Sequence, residues 1–363
     1  MIKLICFVGA MNAGGAETFL MKIYRAIDRN KYQFDFIVNT KEKCFYDDEI
    51  QLLGGHIFYS KPKSKALLAN IIENYRIIKK NQYDAALRMT SHSLGTIDLL
   101  VAKIAGINKL ILRSTNAGNT GSKTSYFLHK LFSFLPQCIP TVKIAPSELA
   151  AEYLFGKDCV KSGIVQIIHN GLPLDKFAFS ESDRIITRKQ LAVERNFVIG
   201  HIGRFNVQKN HCFIIDVFQK LYKKNNSARL LLIGSGELEN QIKQQAEKLG
   251  LLDKVIFAGT RHDIPELLMA MDVFVLPSFF EGMPNVVIEA QATGLPCIVS
   301  DMVTKEVQIT DLVIQLPLNI NLWGDSIMRL DKHFNREIYN HILRNGAYDI
   351  NKSVDEFVKT LNG

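Results

Sequence analysis

The chain alternates short apolar runs with stretches of helical periodicity, and it does so twice, on either side of a break near residues 171–184. This alternation is typical of βαβ units, in which helices cover both faces of a parallel sheet. The predicted strands of the first half are residues 2–8, 34–38, 85–87, 110–112 and 165–168, and those of the second half are residues 197–202, 229–233, 255–258, 273–276 and 297–300. We therefore expect an α/β protein with two doubly wound, Rossmann-like domains.

The break reads HNGLPLDKFAFSESDR, which is rich in Gly, Pro, Ser and charge, and we interpret it as a linker. The predicted domains are residues 1–175 and 183–340. Two final helices, at 336–345 and 354–361, are expected to return toward the first domain, with about residues 345–363 packing on it. Two such domains facing each other would form a cleft lined by the carboxyl ends of their strands, where ligands of these sheets bind.

Composition excludes several classes of protein. The six Cys include no C-x-x-C pair, which argues against a disulfide framework and a Cys-based zinc site. No run of 18 uncharged apolar residues occurs, so no transmembrane helix is expected. Residues 4–13 follow Lys3 and resemble a short signal-peptide core. We favour a buried strand there, because strand–turn–helix units recur along the chain.

The net charge of +8 is unevenly distributed. Residues 1–180 carry 23 Lys and Arg against 14 Asp and Glu, whereas residues 181–363 carry 21 against 22. The basic character therefore belongs to the first half. It would suit a membrane surface, an anionic substrate or nucleic acid, but no nucleic-acid-binding motif accompanies the charge, so no nucleic-acid partner is expected.

Turns that follow strands supply the candidate ligand-binding residues. Gly14 and Gly15 open a helix, where glycine lets the backbone approach a ligand and the helix N-terminus favours an anion. Gly203, Arg204 and Lys209 follow the strand at 197–202, and the two cations can neutralise a diphosphate. An ordinary turn and a solvated loop remain the alternatives for these two sites.

The turn at 277–290 is the most informative. Glu281 precedes a helix that begins near Pro284, and Glu289 lies within that helix. Free backbone N–H groups near residues 285–287 would favour a phosphate, and carboxylates accept hydrogen bonds from hydroxyls. Two carboxylates around an anion site suit a nucleotide sugar. The alternatives are an acid at the helix N-terminus for Glu281 and an exposed helical residue for Glu289. The Gly234-Ser235-Gly236 turn is only half of a dinucleotide fingerprint, and no Asp-x-Asp, Walker or G-x-S-x-G motif is present.

Six segments in order carry a family resemblance: GGAETFL at 14–20, HNGLPLDKF at 169–177, IGRFNVQKN at 202–210, LLLIGSGELE at 230–239, VIFAGTRHDIPELLMAMDVFVLPS at 255–278 and EGMPNVVIEAQATGLPCIVSD at 281–301. Over about residues 1–315 the chain resembles the retaining, nucleotide-sugar-dependent glycosyltransferases of family 4, which have the GT-B fold. Glu281 and Glu289 match the family's E-x7-E motif.

The resemblance implies roles for the matching residues. Arg204, Lys209 and Glu281 would be catalytic: the two cations would stabilise the leaving nucleotide diphosphate, and Glu281 would hold sugar hydroxyls. Glu289 would bind the ribose. The full donor-binding set would be Gly14, Gly15, Gly203, Arg204, Lys209, Glu281, Gly282, Met283, Pro284, Asn285, Val286 and Glu289. No metal and no other cofactor is expected, because the cations and the helix N-terminus would supply the metal's charge.

One departure from the family concerns the acceptor side. Many relatives carry a histidine after the strand that is here residues 110–112, but this chain reads Arg113-Ser114-Thr115-Asn116. The histidine's role is then unfilled or passes to His92. The acceptor-side candidates are therefore His92, Arg113, Thr115 and Asn116, with a turn histidine as the alternative for His92.

The basic first domain would bind the acceptor. Residues 61–65 (KPKSK) and 123–136 (KTSYFLHKLFSFLP) combine basic and aromatic side chains and would make peripheral contact with an anionic membrane, unless they form a solvated loop and a core-facing helix. We expect a cytoplasmic, metal-independent enzyme at the inner face of the membrane. It would move a sugar from a UDP-sugar to a lipid-linked or cell-surface glycan in bacterial polysaccharide biosynthesis. The alternatives are a nucleotide-sugar 2-epimerase of the same fold and a non-catalytic glycan- or lipid-binding module.

Overall fold

The computed structural model describes residues 1–115, 123–330 and 335–363, and the elements below are those of the described residues. The chain divides into two compact units. Unit 1 comprises Met1–Leu172 together with Ala347–Gly363, and unit 2 comprises Pro173–Gly346.

Unit 1 is built on a seven-stranded parallel sheet with the order β3-β2-β1-β4-β5-β6-β7. Its strands are β1 (Ile2–Phe7), β2 (Tyr32–Val38), β3 (Ile57–Tyr59), β4 (Ala85–Thr90), β5 (Lys109–Ser114), β6 (Val142–Ala145) and β7 (Val165–Ile167). Successive residues of β1, such as Leu4, Ile5 and Cys6, are all fully buried. Burial on both sides of the strand is expected where helices cover both faces of a parallel sheet.

The helices of unit 1 are α1 (Gly15–Ala26), α2 (Asp47–Leu52), α3 (Lys63–Asn81), α4 (Ile97–Ile104), α5 (Lys123–Leu131), α6 (Phe134–Cys138), α7 (Glu148–Phe155) and α8 (Lys157–Lys161). The final helix of the chain, Ile350–Asn362, joins them and packs against α1. One core includes α1 and Phe357 of the final helix, and the other includes α3, α4 and α7.

Unit 2 repeats this design with six parallel strands in the order β10-β9-β8-β11-β12-β13. These strands are β8 (Phe197–Ile202), β9 (Ala228–Ile233), β10 (Val255–Phe257), β11 (Val273–Leu276), β12 (Cys297–Ser300) and β13 (Val313–Leu316). The helices are α9 (Glu181–Gln190), α10 (His211–Lys224), α11 (Glu239–Lys248), α12 (Ile264–Ala270), α13 (Asn285–Ala292), α14 (Ile320–Met328) and α15 (Ile338–Asn345), and the final helix of the chain is α16.

The strand order places a switch point between β8 and β11. From β8 the chain moves outward to β9 and β10 and then returns to form β11 on the other side of β8. The connections that leave β8 and β11 therefore lead to opposite faces of the sheet, and the loops that begin them lie side by side at the strands' carboxyl ends, where ligands of such sheets bind.

Three strands escaped prediction: β3, β6 and β13. Each is three or four residues long, and Lys143 interrupts the apolar run of β6. Pairing with β5 on one side and β7 on the other makes β6 a strand, although the apolar pattern of its own sequence is weak.

The boundary between the two units, after Leu172, lies within the predicted break at 171–184, but most of that segment has regular structure. Leu174–Phe177 forms a 3₁₀ turn with Leu174 and Phe177 buried, and α9 begins at Glu181. These two apolar side chains are buried, but they were not recognised in the sequence because they belong to no helical or strand period. Of the two final helices, only α16 joins unit 1, since α15 lies in unit 2. Within the described ranges, no helix combines the length and apolar character needed to span a bilayer.

Candidate functional site

Two loops of unit 2 meet at the switch point, one after β8 and one after β11. Phe279 N donates to Gln208 O over 2.9 Å, and Gln208 Nε2 donates to Phe280 O over 2.8 Å. Asn210 Nδ2 reaches Pro277 O at 3.3 Å. These bonds hold the loops together, so side chains from distant parts of the sequence have fixed neighbours.

Lys209 and Glu281 form an ion pair between these loops. Lys209 Nζ lies 2.7 Å from Glu281 Oε1, and the side chains are only 16% and 11% exposed. The approach is close but falls outside the angles of a hydrogen bond, and Glu281 Oε1 has no hydrogen-bonding partner among the described residues. The structure thus brings together a cation and a carboxylate that the sequence analysis placed in separate motifs.

Glycines allow the first loop to pack closely. A Cβ on Gly234, which has φ +133°, would lie 2.1 Å from Gly203 O. Gly203 N donates to Ile233 O, and Phe205 N donates to Ser235 O. The Gly234-Ser235-Gly236 turn therefore supports the loop after β8, a packing role that accounts for these glycines without a dinucleotide.

Arg204 is the exposed cation of this site. Its neighbour Phe205 is buried and stacks on His211, which anchors the backbone, while the Arg204 side chain is exposed. In the part of the chain that the structure describes, Arg204 makes no ion pair. An anchored backbone with a solvated guanidinium is suited to bidentate binding of phosphate.

The second loop leads into the N-terminus of α13. Gly282, Met283 and Pro284 are buried, and Asn285 and Val286 are half-buried. These residues lead from Glu281 into the first turn of the helix.

The predicted set of free N–H groups at 285–287 needs a correction, because Val287 N donates to Pro284 O at 3.0 Å. Glu289 lies one turn into α13 and is 7% exposed, so it is not an ordinary surface carboxylate. The helix N-terminus still contributes partial positive charge beside Lys209.

A buried histidine pair lies behind the loop after β8, and the sequence analysis missed it. His201 and His211 are buried with ring centroids 4.6 Å apart. Burial, with Lys209 as a second cause, lowers the pKa of His211 to about 3. A polar ring within the otherwise apolar FVIGHI strand was the available signal.

The remaining donor-binding candidates, Gly14 and Gly15, lie in unit 1 between β1 and α1. Gly14 precedes the helix in an extended conformation, and Gly15 is the first helical residue. A Cβ on Gly15 would meet no atom within 4 Å. Nothing in the described residues therefore requires glycine at position 15.

The acceptor-side candidates are also in unit 1. His92 follows β4, its Nδ1 accepts from Leu94 N, and its Nε2 is 2.8 Å from Ser125 O. Both ring nitrogens are therefore engaged within the unit. Thr115 is half-buried, and Asn116 lies outside the described residues. Their acceptor role stays a prediction.

Arg113 is in the interior of unit 1. Its guanidinium lies 3.6 Å from the centre of the Phe19 ring and donates to Asn170 Oδ1 over 2.6 Å. Burial lowers the pKa of Arg113 to about 9. These contacts make Arg113 a support for the unit's core, and an acceptor role for it also stays a prediction.

Comparison with known sequences assigns the chain to a family. Residues 182–349 match the family described as "Glycosyl transferases group 1". The chain is 34% identical to "Putative glycosyltransferase EpsF" of Bacillus subtilis (strain 168), over 99% of this chain and 96% of the relative. It is 30% identical to the UDP-Gal:alpha-D-GlcNAc-diphosphoundecaprenol alpha-1,3-galactosyltransferase of Escherichia coli, over 65% of this chain and 62% of that relative.

Solved structures share the fold. Anabaena HepE in complex with UDP and glucose is 19% identical, with a TM-score of 0.82 and coverage of 100% of both chains. WaaG, a glycosyltransferase involved in lipopolysaccharide biosynthesis, has a TM-score of 0.69 at 15% identity over 99% of this chain and 94% of its own. The predicted GT-B fold is confirmed. By its full-length similarity to EpsF and its match to the family, this chain belongs to the group 1 glycosyltransferases.

Proposed function

We propose that this protein is a retaining family 4 glycosyltransferase that moves a sugar from a UDP-sugar to a lipid-linked or cell-surface glycan in bacterial polysaccharide biosynthesis, without a metal ion. The observation that carries the proposal is the Lys209–Glu281 pair at the switch point. A cation for the diphosphate and a carboxylate for the sugar hydroxyls are held side by side there, next to Arg204 and the N-terminus of α13.

The chemistry follows from where charge develops. The acceptor hydroxyl oxygen bonds to C1 of the sugar while the bond from C1 to the diphosphate oxygen breaks. The acceptor's proton passes to the departing diphosphate on the same face, so the anomeric configuration is retained. Arg204 and Lys209 stabilise the negative charge that appears on the leaving group, and Glu281 orients the sugar through its hydroxyls.

The choice of donor and acceptor rests on the named relatives. HepE was solved with UDP-glucose and with UDP, and the E. coli relative is named as acting with UDP-Gal on a diphosphoundecaprenol-linked sugar. Other relatives are named for capsular polysaccharide and amylovoran biosynthesis. Polysaccharide is common to the last two names, and a lipid-linked acceptor is named for the E. coli relative. These names support our proposal that the reaction takes place at the cytoplasmic face of the membrane.

The outer surface of unit 1 supports membrane contact. Right-handed connections from β3 through β6 put α3, α4, α5 and α6 on one face of the sheet. This helical layer exposes large apolar side chains, among them Leu68 (76%), Ile104 (67%) and Phe127 (64%). A groove lined by Ile71, Ile72, Tyr75, Val101 and Ile104 runs between α3 and α4.

Basic side chains surround this apolar surface. Exposed cations of the same layer include Lys65, Arg76, Lys79, Lys103 and Lys130. Apolar side chains surrounded by lysines suit the interface of an anionic bilayer, where each basic residue contributes about 1 kcal/mol.

A donor assay tests the proposed reaction. Purified protein would be incubated with UDP-, GDP- and ADP-sugars and lipid-linked glycan extracts, with and without EDTA. We expect transfer from a UDP-sugar, insensitive to EDTA, and roughly 10²–10³-fold lower kcat in R204A and E281Q. K243A is the matched control, because Lys243 pairs with Glu239 on the surface of α11.

Three outcomes would contradict the proposal: no turnover of any nucleotide sugar, a C2 epimer of the donor in place of a transfer product, or an inverted anomeric configuration by NMR.

A vesicle assay tests membrane contact. The double variant Leu68→Asp, Phe127→Asp should lose roughly tenfold or more of its binding to vesicles containing phosphatidylglycerol, since two charges would enter the interface. Ile185→Asp in α9, where the side chain is also more than half exposed (58%), is the control. Binding unaffected by the double variant, by salt or by lipid charge would overturn this part of the proposal.

A further inference from the structure

His201 has one ring nitrogen bonded and the other unpaired. The side chain is fully buried near the end of β8, and Nδ1 lies 2.8 Å from Val275 O. A carbonyl oxygen can only accept, so Nδ1 carries the proton. In the neutral ring, Nε2 then presents a bare lone pair.

The Nε2 atom is buried, and no described residue forms a hydrogen bond with it. It borders a gap beside Gly203, the space that a side chain at this position would occupy. The point where a Cβ on Gly203 would stand is 2.9 Å from His201 Nε2 and 3.1 and 3.2 Å from Lys209 Cδ and Cε. The unpaired acceptor and the stem of Lys209 therefore line the same space.

The Lys209 ammonium has N–H groups that can donate to His201 Nε2. Its ammonium carries three N–H groups, and the contact with Glu281 Oε1 at 2.7 Å is not aligned as a hydrogen bond. Burial, and after it the neighbouring His211, holds the pKa of His201 well below its usual range. The lone pair is thus available at neutral pH.

We propose that His201 is a positioning residue for Lys209: its Nε2 accepts a hydrogen bond from the Lys209 ammonium across the Gly203 gap and holds that ammonium toward the donor diphosphate, which leaves Glu281 free to engage the sugar. This inference rests on the proposed function. A second acceptor lets Lys209 exchange partners as the donor binds, without leaving a buried donor or acceptor unpaired.

Two amide variants of His201 distinguish the roles of its two ring nitrogens. In His201→Asn the amide replaces Nδ1–H and can still donate to Val275 O, but no atom occupies the Nε2 position. In His201→Gln the longer side chain carries its amide to that position. We expect H201N to weaken UDP binding about tenfold in calorimetric titration, the scale of a lost hydrogen bond to a charged group, and H201Q to recover most of the affinity.

A double-mutant cycle distinguishes positioning from packing. With Lys209→Ala as background, H201N should change UDP affinity less than about twofold, because its effect passes through the ammonium. His211→Phe, in the same buried cluster, should leave UDP affinity unchanged. An equal loss from H201N with and without Lys209, or no loss in either, would overturn the role of His201.

The controls distinguish a failure of the proposed function from a failure of the role inferred for His201. Absence of UDP binding by the wild type would overturn the proposed function together with this inference, whereas binding with additive losses would overturn this inference alone. If H201N does not fold, ¹⁵N NMR of the wild-type ring supplies the test. A His201 Nε2 resonance that shifts when UDP is added supports the contact, and one that stays unchanged contradicts it.

Discussion

At the scale of single residues, the site depends on two kinds of glycine. Gly234 has a positive φ and a backbone oxygen where its Cβ would be, so the fold requires it. Gly15 has open space around it, so any requirement for glycine there must come from a bound ligand. The sequence alone shows only that both glycines follow strands.

Alanine substitutions should separate these two requirements. We expect Gly234→Ala to lower the free energy of unfolding by roughly 2–4 kcal/mol through strain and displacement of the loop after β8. Gly15→Ala should leave stability unchanged or slightly raised, as alanine favours the helix, yet weaken UDP-sugar binding. Urea denaturation and UDP titration measure the two effects. Equal stability losses in both variants would contradict this division.

The buried His211 ring should make the protein sensitive to acid. Its pKa is about 3 in the folded state, whereas the unfolded chain binds the proton near pH 6.5. The unfolded state therefore binds more protons between these values, and stability falls as pH drops from 6.5 toward 3, by at most about 1.4 kcal/mol per pH unit from this group.

His211→Phe should remove this pH dependence and keep the stacking on Phe205. At pH 8 we expect equal or slightly higher stability, because the variant removes two buried ring nitrogens that no described residue hydrogen-bonds. The advantage over the wild type should grow at pH 6 and again at pH 5, measured by urea denaturation. His201 titrates in both proteins, and burial, the main cause of its lowered pKa, is present in both, so it contributes less than His211 to the difference. Parallel stability curves would show that His211 is not the responsible group.

At the scale of elements, three arginines satisfy the C-terminal end of α12. Arg184 donates to Met269 O, Arg188 to Ala270 O and Arg336 to Leu268 O. The last carbonyls of a helix have no partner within it and carry partial negative charge, so guanidinium groups suit them. This network connects α9 and the segment before α15 to α12, which explains why α9, at the end of the predicted break, is an ordered part of unit 2.

Removing the arginine that donates to the most carbonyl groups should destabilise unit 2. We expect Arg336→Met to cost roughly 2–4 kcal/mol, because several buried carbonyls lose a charged donor at once. Trp323, the single tryptophan, is buried in unit 2 and reports its unfolding by fluorescence. Arg329→Met on the exposed surface should change stability by less than about 0.5 kcal/mol. Similar effects of the two variants would contradict the capping role.

At the scale of the whole molecule, the chain leaves unit 1 after Leu172 and returns to it at Ala347. The returning helix α16 contributes Phe357 to the core beside Phe34, with ring centroids 6.1 Å apart. Tyr32 Oη also donates to Asn362 Oδ1 over 3.0 Å. Unit 1 is therefore complete only when the last residues of the chain have been added.

Phe357→Ala should destabilise unit 1 by roughly 3–5 kcal/mol, the usual cost of removing a fully buried ring. Hydrogen exchange should accelerate in β1, β2 and α1 more than in β8, β9 and β11. The exposed Phe134→Ala is the control and should change little. Faster exchange confined to unit 2 would contradict the assignment of α16 to unit 1.

The sequence by itself determined the α/β class, most strand positions and the motifs that carry the family. Apolar periodicity and the residues after each strand are local, so they can be read without a fold. The chain also identifies Lys209 and Glu281 as separate candidates.

Only the tertiary structure decided which of these residues meet. Lys209 Nζ and Glu281 Oε1 lie 2.7 Å apart because β11 returns beside β8, a long-range pairing that no local pattern encodes. The same pairing buries His201 against Val275 and leaves its second nitrogen over Gly203. Burial and partner choice are properties of packed neighbours, and they arise only when strands distant in sequence share one sheet.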